Sequence, residues 1–173
     1  KQMPDLIAAI HILPFFPYSS DDGFSVLDFY AVNPDLGTWE DVERLGRDFE
    51  LMFDAVFNHM SAQSEWFEQF LAGDPEFSGM FRVEDPNTDL SSVTRPRSSP
   101  LLTEFQKTKG ETVHVWTTFS ADQVDLDFST PETLLHMMKV LLFYMEHGAR
   151  LIRLDAIAYL WKVVGTTSIH LKE

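Results

Sequence analysis

No cysteine occurs among the 173 residues. Disulfide staples and thiolate catalysis are therefore excluded, and the absence fits a cytoplasmic protein. Long apolar runs are also lacking. None reaches the ~18 residues of a membrane span, so no membrane partner is expected. Positive charge is scarce: 13 Lys and Arg face 27 Asp and Glu, a formal net charge of −14. Such a chain repels nucleic acid and anionic lipid, so neither is an expected partner. The same charge also serves plain solubility. The six His are scattered, without the short regular spacing of metal ligands, and no metal or other cofactor is expected. There is no internal repeat and no low-complexity tract. The chain opens at Lys1 with neither an initiator Met nor a basic-then-apolar leader. The natural N-terminus is expected to be missing, and no secretion signal is read.

What is present is a chain long enough for one sizeable core. It is 45% hydrophobic and 13% aromatic, with 15 Phe, which suits packed strands and an apolar-walled pocket. Residues 149–161, ARLIRLDAIAYLW, organise it. Leu151 and Ile152 predict a strand buried on both faces. Arg153 and Asp155 lie two positions apart, so on a strand they point the same way. Arg153 can pair with Asp155, holding the carboxylate ionised and fixed in direction. That is what a nucleophile at a strand end needs. An isolated R-x-D is more often a structural ion pair closing a core.

Residues 6–13 read as another buried parallel strand, ended by Pro14. The loop PFFPYSSDDGFS follows. Asp21 and Asp22 lie just past the strand's C-terminal end, where parallel α/β folds place their sites; Asp-Gly is also ordinary turn chemistry. Phe24 at the loop tip suits a binding wall. Residues 28–37 read as loop, and Thr38 as the N-cap of a helix over 39–47. Residues 51–57 predict a second buried strand ending in Asn58-His59, with Asp54 inside it needing a partner. From 60 to 128 the pattern weakens. A short helix at 64–71, a strand at 113–119 and a returning segment at 122–128 stand among four prolines, too long a stretch for a usual βα loop. Thr130 reads as the N-cap of a helix to His147, with Leu134, Leu135, Met138, Leu141, Leu142 and Met145 on its buried side, and Gly148 stops it.

Strands alternating with helices imply a parallel sheet with right-handed crossovers. A whole (β/α)8 barrel takes roughly 250 residues. About three strands fit here, so the expected fold is α/β, a partial (β/α)8 TIM barrel with an inserted subdomain after the third barrel strand. Residues 1–59 would hold barrel strands two and three with the helix between them. Residues 60–128 would be the inserted B-type subdomain, and 129–173 barrel helix three and strand four.

Several motifs in this order resemble glycoside hydrolase family thirteen, the α-amylase superfamily. DAVFNH (54–59) resembles its first signature, RLDAIAY (153–159) its second, and QVDLDF (123–128) the signature closing the inserted B domain. VNPDLGTWED (32–41) is similar to the segment leading into the second helix. Within the family the chain looks most like the sucrose phosphorylase group. Ala158 and Tyr159 stand where starch hydrolases carry Lys-His. The loop PFFPYSSDDGF resembles the phosphorylase loop that narrows the pocket to one glucosyl unit. Its YSSDDGFS variant is closer to relatives acting on glucosylglycerate, glucosylglycerol or sucrose 6-phosphate.

The resemblance implies roles. Asp155 would be the nucleophile and Arg153 the arginine that orients it. His59 would hold the sugar's 6-hydroxyl, and Asp21 would anchor the far hydroxyls of the ring. Phe24, Phe119 and Gln123 would form the wall and acceptor side, and Tyr159 an acceptor-site tyrosine. Asp54 and Asn58 match structural positions. The counterpart of Asn58 binds calcium in many relatives, but the phosphorylase group generally lacks that ion, so no metal is implied. The implied reaction is retaining double displacement through a glucosyl ester of Asp155, with inorganic phosphate taking the glucosyl unit of a small sugar substrate to give glucose 1-phosphate. A second carboxyl, roughly 5–5.5 Å away, must act as acid/base. In the family it comes from the fifth strand, and a further aspartate from the seventh. The chain reaches neither, so these 173 residues are expected to be inactive alone. Two other classes share the motifs: a hydrolase or transglucosidase on the same scaffold, and a non-catalytic relative that kept the barrel. The motifs leave the oligomeric state open.

Overall fold

The computed structural model describes residues 7–171. In chain order the elements are β1 (Ala9–Ile12), α1 (Trp39–Leu45), β2 (Glu50–Val56), β3 (His59–Ser61), α2 (Glu65–Ala72), β4 (Leu102–Gln106), β5 (Thr112–Trp116), β6 (Gln123–Asp125), α3 (Pro131–Glu146) and β7 (Ala149–Asp155). The first expected strand is shorter than 6–13, and Leu6 falls outside the described residues.

β1, β2 and β7 form one parallel sheet in that order. α1 and α3 lead into the second and third of these strands, as βα crossovers require. Only β2 is buried along most of its length. β1 and β7 are not buried on both faces: Leu151 is 46% and Leu154 42% exposed. Each is an edge strand among the described residues, so apolar side chains along it meet no neighbour on that side.

α1 starts at a full capping box. The Thr38 side chain accepts from the Asp41 amide, and the Asp41 carboxylate accepts from the Thr38 amide, satisfying two otherwise orphaned donors. Thr130 occupies the N-cap position of α3 but makes no side-chain cap bond; Pro131 at the first turn sets the helix start instead. The buried face of α3 is also not the expected one. Thr133, Met137, Val140 and Tyr144 are buried, whereas Leu134, Leu135, Met138, Leu142 and Met145 are exposed. Leu141 is half-buried against the core. The helix is apolar on both sides, and aromatic packing selects the face. Tyr144 stacks on Phe16 at 5.0 Å and meets Phe53 edge-on at 6.0 Å. Phe15, Trp39 and Phe143 extend this cluster between α3 and the sheet.

Between β2 and α3 the chain leaves the parallel sheet. β3 pairs antiparallel with β6, and β4 with β5. β4 has no counterpart in the sequence reading because its alternation is mostly half-exposed. The β4–β5 hairpin carries a small separate core of Val93, Leu101 and Trp116. β6 then returns to the C-terminal ends of β1 and β2.

Candidate active site

The parallel register places a row of charge across the sheet. Asp54 on β2 lies opposite Arg153 on β7. Asp54 is wholly buried. Its Oδ1 accepts from Arg153 Nη1, and its Oδ2 lies 2.5 Å from His11 Nε2 on β1. This supplies the partners a buried carboxylate needs. The other Arg153 nitrogen, Nη2, lies 2.9 Å from Asp155 Oδ1. The Asp54 hydrogen bond, with the Asp54 and Asp155 charges, raises the Arg153 pKa above its ordinary value. Arg153 therefore links a buried anchor to Asp155 and fixes the direction of that carboxylate.

His59 follows β2 directly and is buried. Its Nε2 lies 3.0 Å from the Phe24 carbonyl, and its Nδ1 3.3 Å from Asn58 Nδ2. The carbonyl asks for a proton on Nε2, with Nδ1 accepting from the Asn58 amide, while Gln123 Nε2 also lies 3.1 Å from that Nε2. Burial pushes the His59 pKa down, against the opposing pull of Asp125 and Asp155. Gln123, on β6, donates from Nε2 to Asp21 Oδ2 at 2.9 Å, and its Oε1 accepts from Ser120 at 2.9 Å.

The loop after β1 is a hook. Asp21, Asp22 and Gly23 have φ of 56°, 50° and 105°, three successive left-handed residues. Gly23 is required there: a Cβ would lie 2.8 Å from the Pro14 carbonyl oxygen.

Asp21, Asp22, Phe24, His59, Arg97, Phe119, Gln123 and Asp155 line one cavity of about 340 Å³, near the small end of the ~300–1,000 Å³ typical of ligand pockets. Six of the eight residues expected at the site are thus gathered. Arg153 and Tyr159 do not line that cavity. Arg153 bonds Asp155, and Tyr159 meets the Phe119 ring edge-on at 5.4 Å. Phe119 also lies 5.1 Å from the His59 ring. Arg97 gave no signal in the sequence, as one of two arginines in a proline-rich stretch.

Lys162 is the other residue that sequence reading missed. It is buried, and its Nζ donates to Asn58 Oδ1 at 3.0 Å and to the Tyr159 carbonyl at 2.9 Å, with Asp125 Oδ2 at 3.1 Å. Burial lowers its pKa while Asp125 opposes. The Asn58 and Asp125 oxygens are engaged by an ammonium, so this pair does not fit a metal ion. A lone lysine inside the apolar run LWKVV was the available signal.

A family model described as alpha amylase, catalytic domain, matches residues 6–171. The glucosylglycerate phosphorylase of Spirochaeta thermophila is 61% identical over 161 residues, covering 93% of this chain and 27% of that protein. The sucrose phosphorylase of Agrobacterium vitis is 36% identical over 186 residues, covering 99% of this chain and 38% of that protein. The crystal structure of sucrose 6F-phosphate phosphorylase from Thermoanaerobacter thermosaccharolyticum has a TM-score of 0.92 at 28% identity, covering 99% of this chain and 38% of that one. The chain thus spans between 27% and 38% of the length of these relatives.

Proposed function

Because the chain belongs to the α-amylase catalytic-domain family, we propose that it forms part of a retaining glucosyl-transferring phosphorylase. The three parallel strands would be strands two to four of a (β/α)8 barrel, and residues 60–128 its inserted subdomain. The observation that carries the reading is the shared pocket: Asp155, His59 and Asp21 line one cavity, with Arg153 bonded to Asp155.

In this reading an Asp155 oxygen attacks the anomeric carbon of an α-glucoside. The glycosidic C–O bond breaks, and the leaving oxygen takes its proton from an acid supplied by a later strand. A phosphate oxygen then attacks the glucosyl ester, releasing glucose 1-phosphate and the Asp155 carboxylate. Asp21 and His59 would receive ring hydroxyls. Arg153 is committed to Asp54 and Asp155. Arg97, with no ion-pair partner among the described residues, is the cation left to meet an anionic acceptor or leaving group. The relative at 61% identity favours glucosylglycerate as donor over sucrose.

The test uses this segment joined to the remainder of a barrel. Glucose 1-phosphate release from glucosylglycerate should depend on inorganic phosphate. Asp155→Asn should lower it by at least about 10⁴-fold, the scale of losing a nucleophile. Turnover that ignores phosphate would instead mark a hydrolase or transglucosidase using the same pocket.

A further inference from the structure

We propose that Asp122 is a positioning residue: its carboxylate clamps the strained hook 21–23 in the form that presents Asp21 and Phe24 to the pocket. The proposal rests on reading that pocket as the glucosyl site. Asp122 does not line the cavity. It lies on the returning segment, one residue before Gln123, and joins three stretches of chain. Its Oδ2 accepts from Ser19 Oγ at 2.6 Å and from Ser20 Oγ. Its Oδ1 accepts from Ser61 Oγ on β3 at 3.2 Å. Ser19 and Ser61 lie 2.6 Å apart through their hydroxyls. The Asp122 carbonyl accepts from the Ala62 amide at 2.7 Å. Burial raises the pKa of this carboxyl, but the surrounding serine hydroxyls outweigh it and hold it below the usual carboxylate range.

The hook needs such a clamp. Left-handed backbone at two successive non-glycine residues persists only where the surroundings over-determine it. The loop's own backbone bonds close its neck, through Ser19 N to Ser25 O and Ser25 N to Ser20 O, and turn its tip through a single bond, Phe24 N to Asp21 O at 3.0 Å. The serine hydroxyls tie that neck to the returning segment and to β3, and Gln123 then grips Asp21 from the adjacent position. One short segment therefore sets both the fold of the hook and the direction of its carboxylate. Without the clamp the hook relaxes, the Asp21 carboxylate loses its place against the sugar hydroxyls, and water gains access to the glucosyl intermediate.

Asp122→Asn and, separately, Ser20→Ala test this in the segment joined to the rest of a barrel. An amide offers a single acceptor oxygen, so at least one hydroxyl loses its partner in Asp122→Asn. Hydrogen exchange of amides 19–25 should quicken in both variants, with the β2 amides unchanged. KM for the glucosyl donor should rise about tenfold, the scale of a charge-assisted hydrogen bond. The fall in kcat should be smaller, and the hydrolysed share of product should grow. Asp122→Asn should exceed Ser20→Ala in each readout; if it fails to fold, Ser20→Ala alone decides. A lowered melting temperature with KM and product partition unmoved would show a structural bond only and overturn the proposal. So would unchanged exchange at 19–25. If the unsubstituted chain transfers no glucose to phosphate, the functional reading fails, while the exchange measurement still decides whether the clamp exists.

Discussion

His59 sits between the Phe24 carbonyl and the Asn58 amide, and protonating it there has a thermodynamic consequence. Both ring nitrogens are engaged, one as donor and one as acceptor, so an added proton removes the acceptor as well as charging a buried ring. Burial holds its folded pKa below the ordinary value of 6.5. Above that value the imidazole is neutral in both folded and unfolded chains, and its contribution to stability is fully present. As pH falls below 6.5 the unfolded chain takes up the proton first, so stability drops until the folded pKa is reached. The limiting slope for one proton is about 1.4 kcal/mol per pH unit. Urea unfolding of the unsubstituted chain should show stability falling from about pH 7.5 to 5.5, with a slope that steepens toward this limit, beyond whatever the carboxylates add. A His59→Asn variant should be flatter over the same interval. Equal slopes in the two proteins would show that the ring takes its proton without resistance in the fold.

At the scale of the element, α3 decides how the sheet is covered, and its buried face contains an unsatisfied group. The Tyr144 hydroxyl is buried with no hydrogen-bond partner among the described residues, although its ring packs on Phe16 and Phe53. Desolvation raises its pKa well above the ordinary value. Tyr144→Phe keeps the rings and removes the orphan, so it should stabilise the chain by about 1 kcal/mol. A loss of stability in thermal or denaturant unfolding would mean that the hydroxyl has a partner. This face was not legible in the sequence, because Leu134, Leu135, Met138, Leu142 and Met145 offer an apolar stripe as strong as the one that packs. Helix ends and strand ends were easier to read. Thr38 and Gly148 mark boundaries by local chemistry, and local chemistry needs no knowledge of partners. His59 and Asp155 were legible as candidates because each sits where an apolar strand stops, and Asp21 because it lies in the loop that follows such a stop. The groups that fix them were not. His11 and Asp54 are 43 positions apart, and Lys162 and Asn58 are 104 apart. Only the sheet register and the return of β6 bring such residues together, and no local pattern encodes either.

The molecule as a whole leaves one side uncovered. The outer stripe of α3, Leu151 and Leu154 on β7, and Ile157 beyond it are exposed. They adjoin an apolar groove of about 660 Å³ lined by Met138, Leu141, Leu154, Ile157 and Leu171 among others. Contiguous apolar surface of this kind is uncommon on monomeric proteins, and β7 also leaves one strand edge unpaired among the described residues, a template for pairing with another chain. In the barrel proposed above, the next β/α unit would pair with that edge and fill the groove. The 173-residue chain on its own should therefore bind an apolar-surface dye and sediment as concentration-dependent oligomers. The acidic excess limits precipitation without covering the groove. It should show no phosphorolysis, since the acid that must protonate the leaving oxygen would come from a later strand of the proposed barrel. Extension through the remaining strands should abolish dye binding and self-association together and bring activity with them. Leu135→Lys and Met138→Glu, both on the outer stripe, divide the causes. They should reduce self-association of the short chain through like-charge repulsion and lost apolar area. Met138→Glu, which faces the groove, should then destabilise the extended chain by several kcal/mol, because a buried unpaired carboxylate is strongly unfavourable. A short chain that stays monomeric at high concentration and binds no dye would show that this face is stable against water as it stands, and the barrel reading would lose its main support at this scale.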